Sequence, residues 1–252
     1  MKKGFIFSSI LLVCFASSLM AQNFQSDVHL FQNFLKDSPI AQKPYVEPGL
    51  LYGTYEFFST FQLGAQGGFP INPDLEIAGA LNFLSLNPDE GDGQSGLSDL
   101  TVLGKYRIKT EANMDFSAGG SLTLPIGSED VGQGNLNFGA FGAIRYPINN
   151  EISGSAVLGL NFIETTTFDA QGNEDTEYET SVHLGGGVIY SINQQMSLVG
   201  ELNIMTEENY TMLSGGLDYA HTSNGRLRGG IGLGLDDGAP DFALFLGYLL
   251  IL

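Results

Sequence analysis

Apolar and polar residues alternate with period two through most of the chain. Met114, Phe116, Ala118, Gly120, Leu122 and Leu124 form one face of a segment. Asn113, Asp115, Ser117, Gly119, Ser121 and Thr123 form the other. Met196, Leu198, Gly200, Leu202 and Ile204 alternate in the same way with Ser197, Val199, Glu201 and Asn203. Leu227, Gly229, Ile231, Leu233 and Leu235 alternate with Arg226, Arg228, Gly230, Gly232 and Gly234, and Phe242, Leu244, Leu246, Tyr248, Leu250 and Leu252 close the chain. Successive side chains of a strand point to opposite faces, so this spacing predicts β-strands with one apolar and one polar side.

A short signature recurs where these strands end. It reads Phe69-Pro70-Ile71-Asn72, Tyr106-Arg107-Ile108-Lys109, Tyr146-Pro147-Ile148-Asn149 and Tyr190-Ser191-Ile192-Asn193, with Tyr219 and Tyr248 as degenerate further copies. The copies lie about 40 residues apart, the length of a strand pair with its connections. A tight polar turn follows each, and the connections on the opposite side are longer. An aromatic ring at a strand end suits a membrane interface, where its apolar body and polar edge meet different solvents.

Composition supports strands in lipid rather than a soluble sheet. Hydrophobic residues make up 43% of the chain and charged ones only 15%, below the quarter usual in soluble domains, yet the mature part has no long apolar run. Alternation hides hydrophobicity in this way, because every second residue faces lipid. A closed barrel pairs every backbone group and leaves no edge. The fold expected is therefore all-β, a closed antiparallel transmembrane β-barrel of 12 strands, an even number, with 10 as the alternative. The contrasting reading is a secreted β-sandwich, which turns its alternate face to water and rarely needs repeated aromatic ends.

The N-terminus reads as an export signal over residues 1–21. Lys2 and Lys3 precede an apolar run from Phe5 to Leu19, and Ala21 supplies a small cleavage residue. Cys14, the only cysteine, leaves with it, so the mature chain has no disulfide or thiolate chemistry. Val13 stands where a lipoprotein signal wants a small residue. Residues 22–44 are poorly periodic and read as a short helix, a plug or a loose tail, with the barrel spanning 45–252.

The net charge is −18, which excludes nucleic acid as a partner because phosphates demand a basic face. The acids collect in the long connections: Asp89, Glu90, Asp92 and Asp99; Glu129 and Asp130; Glu164, Asp169, Glu174, Asp175, Glu177 and Glu179; Glu207 and Glu208; Asp236, Asp237 and Asp241. Long loops of outer-membrane barrels normally face the exterior and short turns the periplasm, so the acidic end is expected outside.

Three segments carry a family resemblance. Gly68-Phe69-Pro70-Ile71-Asn72-Pro73-Asp74-Leu75-Glu76-Ile77 resembles a tight turn between an aromatic-ended strand and an acidic-apolar one. The stretch from Gly96 to Arg107 is similar to a "G-x-G-D-x-x-x-G-x-K-Y" strand, and Leu122-Thr123-Leu124-Pro125-Ile126-Gly127-Ser128 to an "L-x-L-P-T-G" strand end. Together they resemble the outer-membrane barrels of the phenol-degradation MetA pathway family, often called transporters. Ser98 stands where that family has Gly, and Ile126 where it has Thr. The resemblance implies a passive channel or transporter for small, hydrophobic or aromatic molecules. The ending Gly247-x-x-Leu250-x-Leu252 resembles the signal read by the barrel-assembly machinery, which usually ends in Phe.

Candidate chemistry is sparse. His183 sits on the lumen face, His221 in a tight turn and His29 in the irregular segment, and none shares a lipid-facing surface with a serine. With no nucleophile–base pair, no enzyme is expected. Asp89-Glu90-Gly91-Asp92-Gly93 and Asp169 to Asp175 offer oxygen ligands without the spacing of a calcium loop, so no metal or other cofactor is assigned. Lys105, Arg107, Asp115, Arg145, Glu201, Asp218, Arg226 and Arg228 all fall on the non-lipid face, most of them near tight-turn ends. These eight form a lumen charge belt that reads either as a salt-bridged plug or as a gate along a solute path. Leu103 and Phe141 share that face and would add an apolar stretch. The expected partners are membrane lipid, the assembly machinery and a small-molecule solute. A non-transporting structural or adhesion barrel with acidic loops is the competing reading.

Overall fold

The computed structural model describes residues 28–132, 134–168 and 174–252. The signal read over 1–21, the start of the irregular segment and residues 169–173 of the third acidic stretch lie outside the described residues.

Among the described residues thirteen antiparallel strands follow one another around a closed sheet: β1 (Tyr45–Thr54), β2 (Phe58–Asn72), β3 (Leu75–Pro88), β4 (Gln94–Leu97), β5 (Leu100–Arg107), β6 (Asp115–Leu124), β7 (Asn137–Pro147), β8 (Ile152–Phe168), β9 (Glu174–Ser191), β10 (Met196–Met205), β11 (Tyr210–Ala220), β12 (Gly225–Gly234) and β13 (Phe242–Ile251). β13 pairs with β1, which closes the ring. β4 and β5 are two halves of one barrel strand, since β3 pairs with β4 through Phe83–Leu86 and with β5 through Leu75–Ala80. The barrel therefore has 12 strands, as the alternation predicts.

The register puts the alternating apolar set outside. Leu63, Leu158, Leu184, Leu213, Ile231 and Leu246 are all exposed, and in this position their partner is lipid. At the tight-turn end Phe69, Tyr106, Tyr146 and Tyr190 are 40–56% exposed, an aromatic girdle built by the recurring signature. The asparagine of that signature makes the turn. Asn149 Oδ1 accepts from the amides of Glu151 and Ile152, and Asn193 Oδ1 from those of Gln195 and Met196. Asn72 accepts from Asp74. Such an Asx turn supplies the acceptor that the reversing backbone needs. The Tyr106 copy lacks the asparagine, and its connection is correspondingly longer, from Ile108 to Met114. Lys109 in that loop reaches across to Asp74 of the neighbouring turn at 2.6 Å.

Lipid-facing positions are set by polarity rather than by shape. Leu158 lies opposite Gly142 and Leu184 near the middle of the wall. Leu158→Arg should cost about 2–4 kcal/mol, as a charge at the bilayer midplane does. The check is the urea midpoint for refolding into liposomes, with a conservative Leu158→Ile as control. A wild-type midpoint for the arginine variant would contradict the assigned exterior.

Candidate functional site

Residues 28–41 run inside the barrel and fill the half of the lumen near the tight turns, and the chain is exposed at Gln42 and Lys43 before it enters β1. Val28, Leu30, Phe34 and Ile40 are at most 1% exposed, as are Asn33, Asp37 and Ser38. The segment rises along the wall, reverses through one helical turn closed by Asp37 N–H to Asn33 C=O at 2.8 Å, and descends into β1. Phe34 and Leu35 pack on inward residues of the wall, among them Ala78, Leu103, Phe141, Val157 and Leu249. Val28 and Leu30 pack on Ile189 and Val199.

Inward glycines make the space. A Cβ on Gly187 would lie 2.7 Å from Leu30 Cδ2, and one on Gly216 would lie 2.7 Å from Phe31 Cε2 and 2.4 Å from a backbone carbonyl. Any side chain at these positions would push the segment off the wall.

The segment is irregular, so its amides and carbonyls have no sheet to pair with, and an unpaired buried group costs about 1–3 kcal/mol. Wall charges take that place. Arg145 donates to Val28 C=O at 2.9 Å. Arg228 donates to the carbonyls of His29 and Leu30 at 2.6 and 2.9 Å, and Lys105 to those of Asp37 and Pro39 at 2.7 and 2.8 Å. Glu201 accepts from the successive amides of Phe31, Gln32 and Asn33 at 2.6, 3.0 and 3.4 Å. Glu76 accepts from Ala41 N–H at 2.8 Å. Nine backbone groups of the segment are thus held by five side chains of the wall.

Ion pairs join Lys105 to Glu76 and tie Arg145 and Arg228 to further carboxylates. Arg145 pairs with Asp37 of the segment, whose carboxylate also accepts from Ser155 Oγ at 3.0 Å. Lys105 lies 3.8 Å from Glu76, which accepts from the Tyr45 hydroxyl at 2.7 Å. Asp218 holds Arg226 at 2.6 Å and Arg228 at 3.1 Å, and Arg228 also pairs with Glu47. The Arg228 guanidinium lies 4.7 Å from the Phe31 ring centre and 4.9 Å from that of Phe34, on the cation–π scale.

Six of the eight residues read as a charge belt, namely Lys105, Arg145, Glu201, Asp218, Arg226 and Arg228, are buried in this cluster. Arg107 and Asp115 stand apart from it. They lie at the ends of β5 and β6 beside the open turn, 3.9 Å from each other and partly exposed, where the segment no longer covers the wall. Three acids were not picked out by the sequence reading. Glu47 and Glu76 share lumen parity with Tyr45 and Ala78, so alternation could have found them. Asp37 lies in aperiodic sequence and carried no signal. His183 points inward as expected and meets Asn203 Oδ1 at 3.2 Å. His221 is exposed in its turn, and His29 is buried against Phe34, with ring centres 4.7 Å apart.

Above the segment, in the half near the long loops, lies a cavity of about 420 Å³. Phe31 and Gln32 form its floor. Leu51, Met212, Ala243 and Phe245 of β1, β11 and β13 line it, and Gln62, Gln66 and Asn82 continue that wall across β2 and β3, with Gln62 beside Leu51 in the β1–β2 register. Gln32 is held from both directions: its amide nitrogen donates to Ser214 Oγ at 2.7 Å and its oxygen accepts from Tyr210 at 2.9 Å.

The family described as "Putative MetA-pathway of phenol degradation" matches residues 39–250. The chain belongs to that family. Its match spans the end of the lumen segment and all the barrel strands. The barrel is similar to the COG4313 outer membrane channel from Pseudomonas putida F1, with a TM-score of 0.70 at 16% identity over 86% of this chain and 98% of that one. It is also similar to the NanC porin, at 0.57 and 13% over 83% and 100%. The Ralstonia pickettii toluene transporter TbuX matches at 0.50 and 9%, over 87% and 93%. The comparison with curated proteins found no match. At these identities the likenesses establish the fold, that of a bacterial outer-membrane barrel, which the apolar belt and aromatic girdle require independently.

Arg145→Ala removes the counter-charge of Asp37 and the donor to Val28 C=O, and breaking a buried pair from one side costs about 3–5 kcal/mol. The barrel ladders are untouched, so that cost should appear as release of the segment. A cysteine at Ser38, buried and inert in an otherwise native barrel, should then react with an impermeant maleimide while the heat-modifiable gel shift persists. Unchanged labelling would show that Arg145 does not seat the segment.

His29 gives a pH dependence. Burial, then the nearby Arg145, Arg228, Lys105 and Arg226 charges, hold its imidazole well below the usual 6.5. The folded value is depressed, so this contribution to stability is complete above about pH 6.5 and is lost as pH falls below it, by up to about 1.4 kcal/mol per unit. The thermal midpoint of the gel shift should fall between about pH 6.5 and 5. His29→Phe, of compatible shape beside Phe34 and Tyr45, should flatten that slope. An equal slope in both proteins would assign it elsewhere.

Proposed function

We propose that this protein is a passive outer-membrane channel or transporter for small molecules, hydrophobic or aromatic ones among them, entered from the acidic long-loop end. The cavity carries the reading: a half-apolar chamber lies on the long-loop side, directly above a segment seated by side chains. Family membership supports it, as does likeness to barrels whose names state channel and toluene transport. The acidic loops would face outside and favour cations and neutral solutes over anions, within about 8 Å at physiological salt. The charged cluster would then act as the gate, with Arg145 and Arg228 as its principal ties. β13, with its Gly247-x-x-Leu250-x-Leu252 ending, would be the strand offered to the barrel-assembly machinery.

The seated segment favours a second reading, a non-transporting structural barrel whose acidic loops meet partners outside. Solute uptake by proteoliposomes separates the two. Neutral and cationic probes should enter faster than anions of equal size, and Arg145→Ala with Arg228→Ala should raise uptake of all of them. Uptake no faster than in empty liposomes for every probe, before and after substitution, would leave the structural barrel.

A further inference from the structure

Two parts of the cavity lining differ in chemistry, and the difference specifies a ligand. Leu51, Met212 and Phe245 present carbon, and the Phe31 ring extends that surface from the floor, 6.2 Å from Phe245. The carboxamides of Gln62, Gln66 and Asn82, on the adjoining strands β2 and β3, make no side-chain hydrogen bond to protein among the bonds of the described residues. Register explains the segregation. Gln62 and Gln66 lie two positions either side of Gly64 on β2, and Gly64 faces Asn82 across the β2–β3 ladder. The missing Cβ lets the Asn82 amide lie over Gly64, since an added Cβ would sit 2.1 Å from Asn82 Oδ1.

Among the described residues no cation lines the cavity, and the one charged group that does is the Glu47 carboxylate. Arg228 lies below it, committed to Asp218, Glu47 and two carbonyls. An anionic solute would find no counter-charge there. Its volume of about 420 Å³ lies in the range of small-molecule sites.

We propose that this cavity is a selective binding site for uncharged amphipathic molecules of one or two rings, or a short chain, that carry a hydrogen-bonding group on one edge. The apolar body lies against Phe31, Leu51, Met212 and Phe245, and the polar edge meets the carboxamides of Gln62, Gln66 and Asn82. The inference rests on the channel reading and adds to it which uncharged solutes are retained. A carboxamide wall discriminates because a solute that displaces its water without replacing the hydrogen bonds leaves polar groups unpaired.

Phenol and toluene have the same ring and differ in hydroxyl against methyl, and benzoate adds the charge. Equilibrium dialysis of the full-length barrel in nanodiscs, corrected for partition into empty discs, should show phenol bound about tenfold more tightly than toluene. Benzoate should bind no better than toluene. Gln62→Leu with Gln66→Leu should bring phenol and toluene within about threefold, mainly by weakening phenol. Those side chains carry no protein hydrogen bond, so the gel shift should be retained, and Met212→Gln should weaken toluene more than phenol as the reciprocal variant. Equal binding of phenol and toluene by the native barrel, or a preference unchanged in the double variant, would overturn the site. Proteoliposome uptake is measured separately. Transport without the preference removes this site and leaves the channel, whereas absence of both binding and transport removes the channel reading itself.

Discussion

Irregular backbone inside a barrel is tolerated only where each amide and carbonyl finds a partner, and the interior of this protein is organised by that requirement. Residues 28–44 cannot add a strand to a closed sheet. Their polar groups are met instead by charged side chains long enough to reach from the wall. Arginine and lysine serve the carbonyls, and Glu201 serves three amides in a row where the chain turns. Four buried cations (Lys105, Arg145, Arg226, Arg228) pair in turn with four buried carboxylates (Asp37, Glu47, Glu76, Asp218), and a fifth, Glu201, is met by amides. Such a cluster adds modest net stability, because desolvation offsets most of the attraction, but it is costly to leave half-formed. It therefore favours one seated arrangement over many loosely collapsed ones.

The barrel wall answers two environments at once. Outward positions carry leucine, isoleucine and valine against lipid, with aromatic residues at the tight-turn rim. Inward positions mix charges and glycines with a few apolar residues, such as Leu103 and Phe141, that pack on the segment. At Gly185, Gly187 and Gly216 the segment comes against the wall, and next to them stand the charges that hold it. Further toward the long loops the segment has turned back, and the inward glycines of β1 and β2 border the chamber. The position of the turn at Asn33–Asp37 therefore divides the lumen into a filled half and an open one.

Much of the architecture was legible because its cause is periodic. Alternation gave strands and their outward face, and the recurring aromatic signature marked one rim, with Asn149 and Asn193 shaping the turns that follow it. Parity alone pointed six charged residues inward, where they are buried, and Glu47 and Glu76 were open to the same reasoning. Residues 28–44 were opaque for a physical reason. Their conformation is imposed by partners more than a hundred residues away, such as Glu201 for Phe31 and Arg145 for Asp37, and no local pattern records such contacts. The split of one barrel strand into β4 and β5 was equally hidden. It depends on Ser98 Oγ meeting the Asn82 amide at 3.1 Å, and on Asp99 accepting from Gly127 at 2.9 Å.

The central claim is that wall charges hold the segment as firmly as the sheet holds its own strands. Hydrogen–deuterium exchange of the intact protein in nanodiscs tests it most directly, because the amides of Phe31, Gln32, Asn33 and Ala41 are bonded to wall carboxylates and that of Asp37 to a buried carbonyl. Peptides spanning residues 28–41 should exchange as slowly as those of β10 and β12, and far more slowly than the long loops. Exchange at the rate of the loops would mean that the lumen is not occupied by a seated segment, and the account would fail.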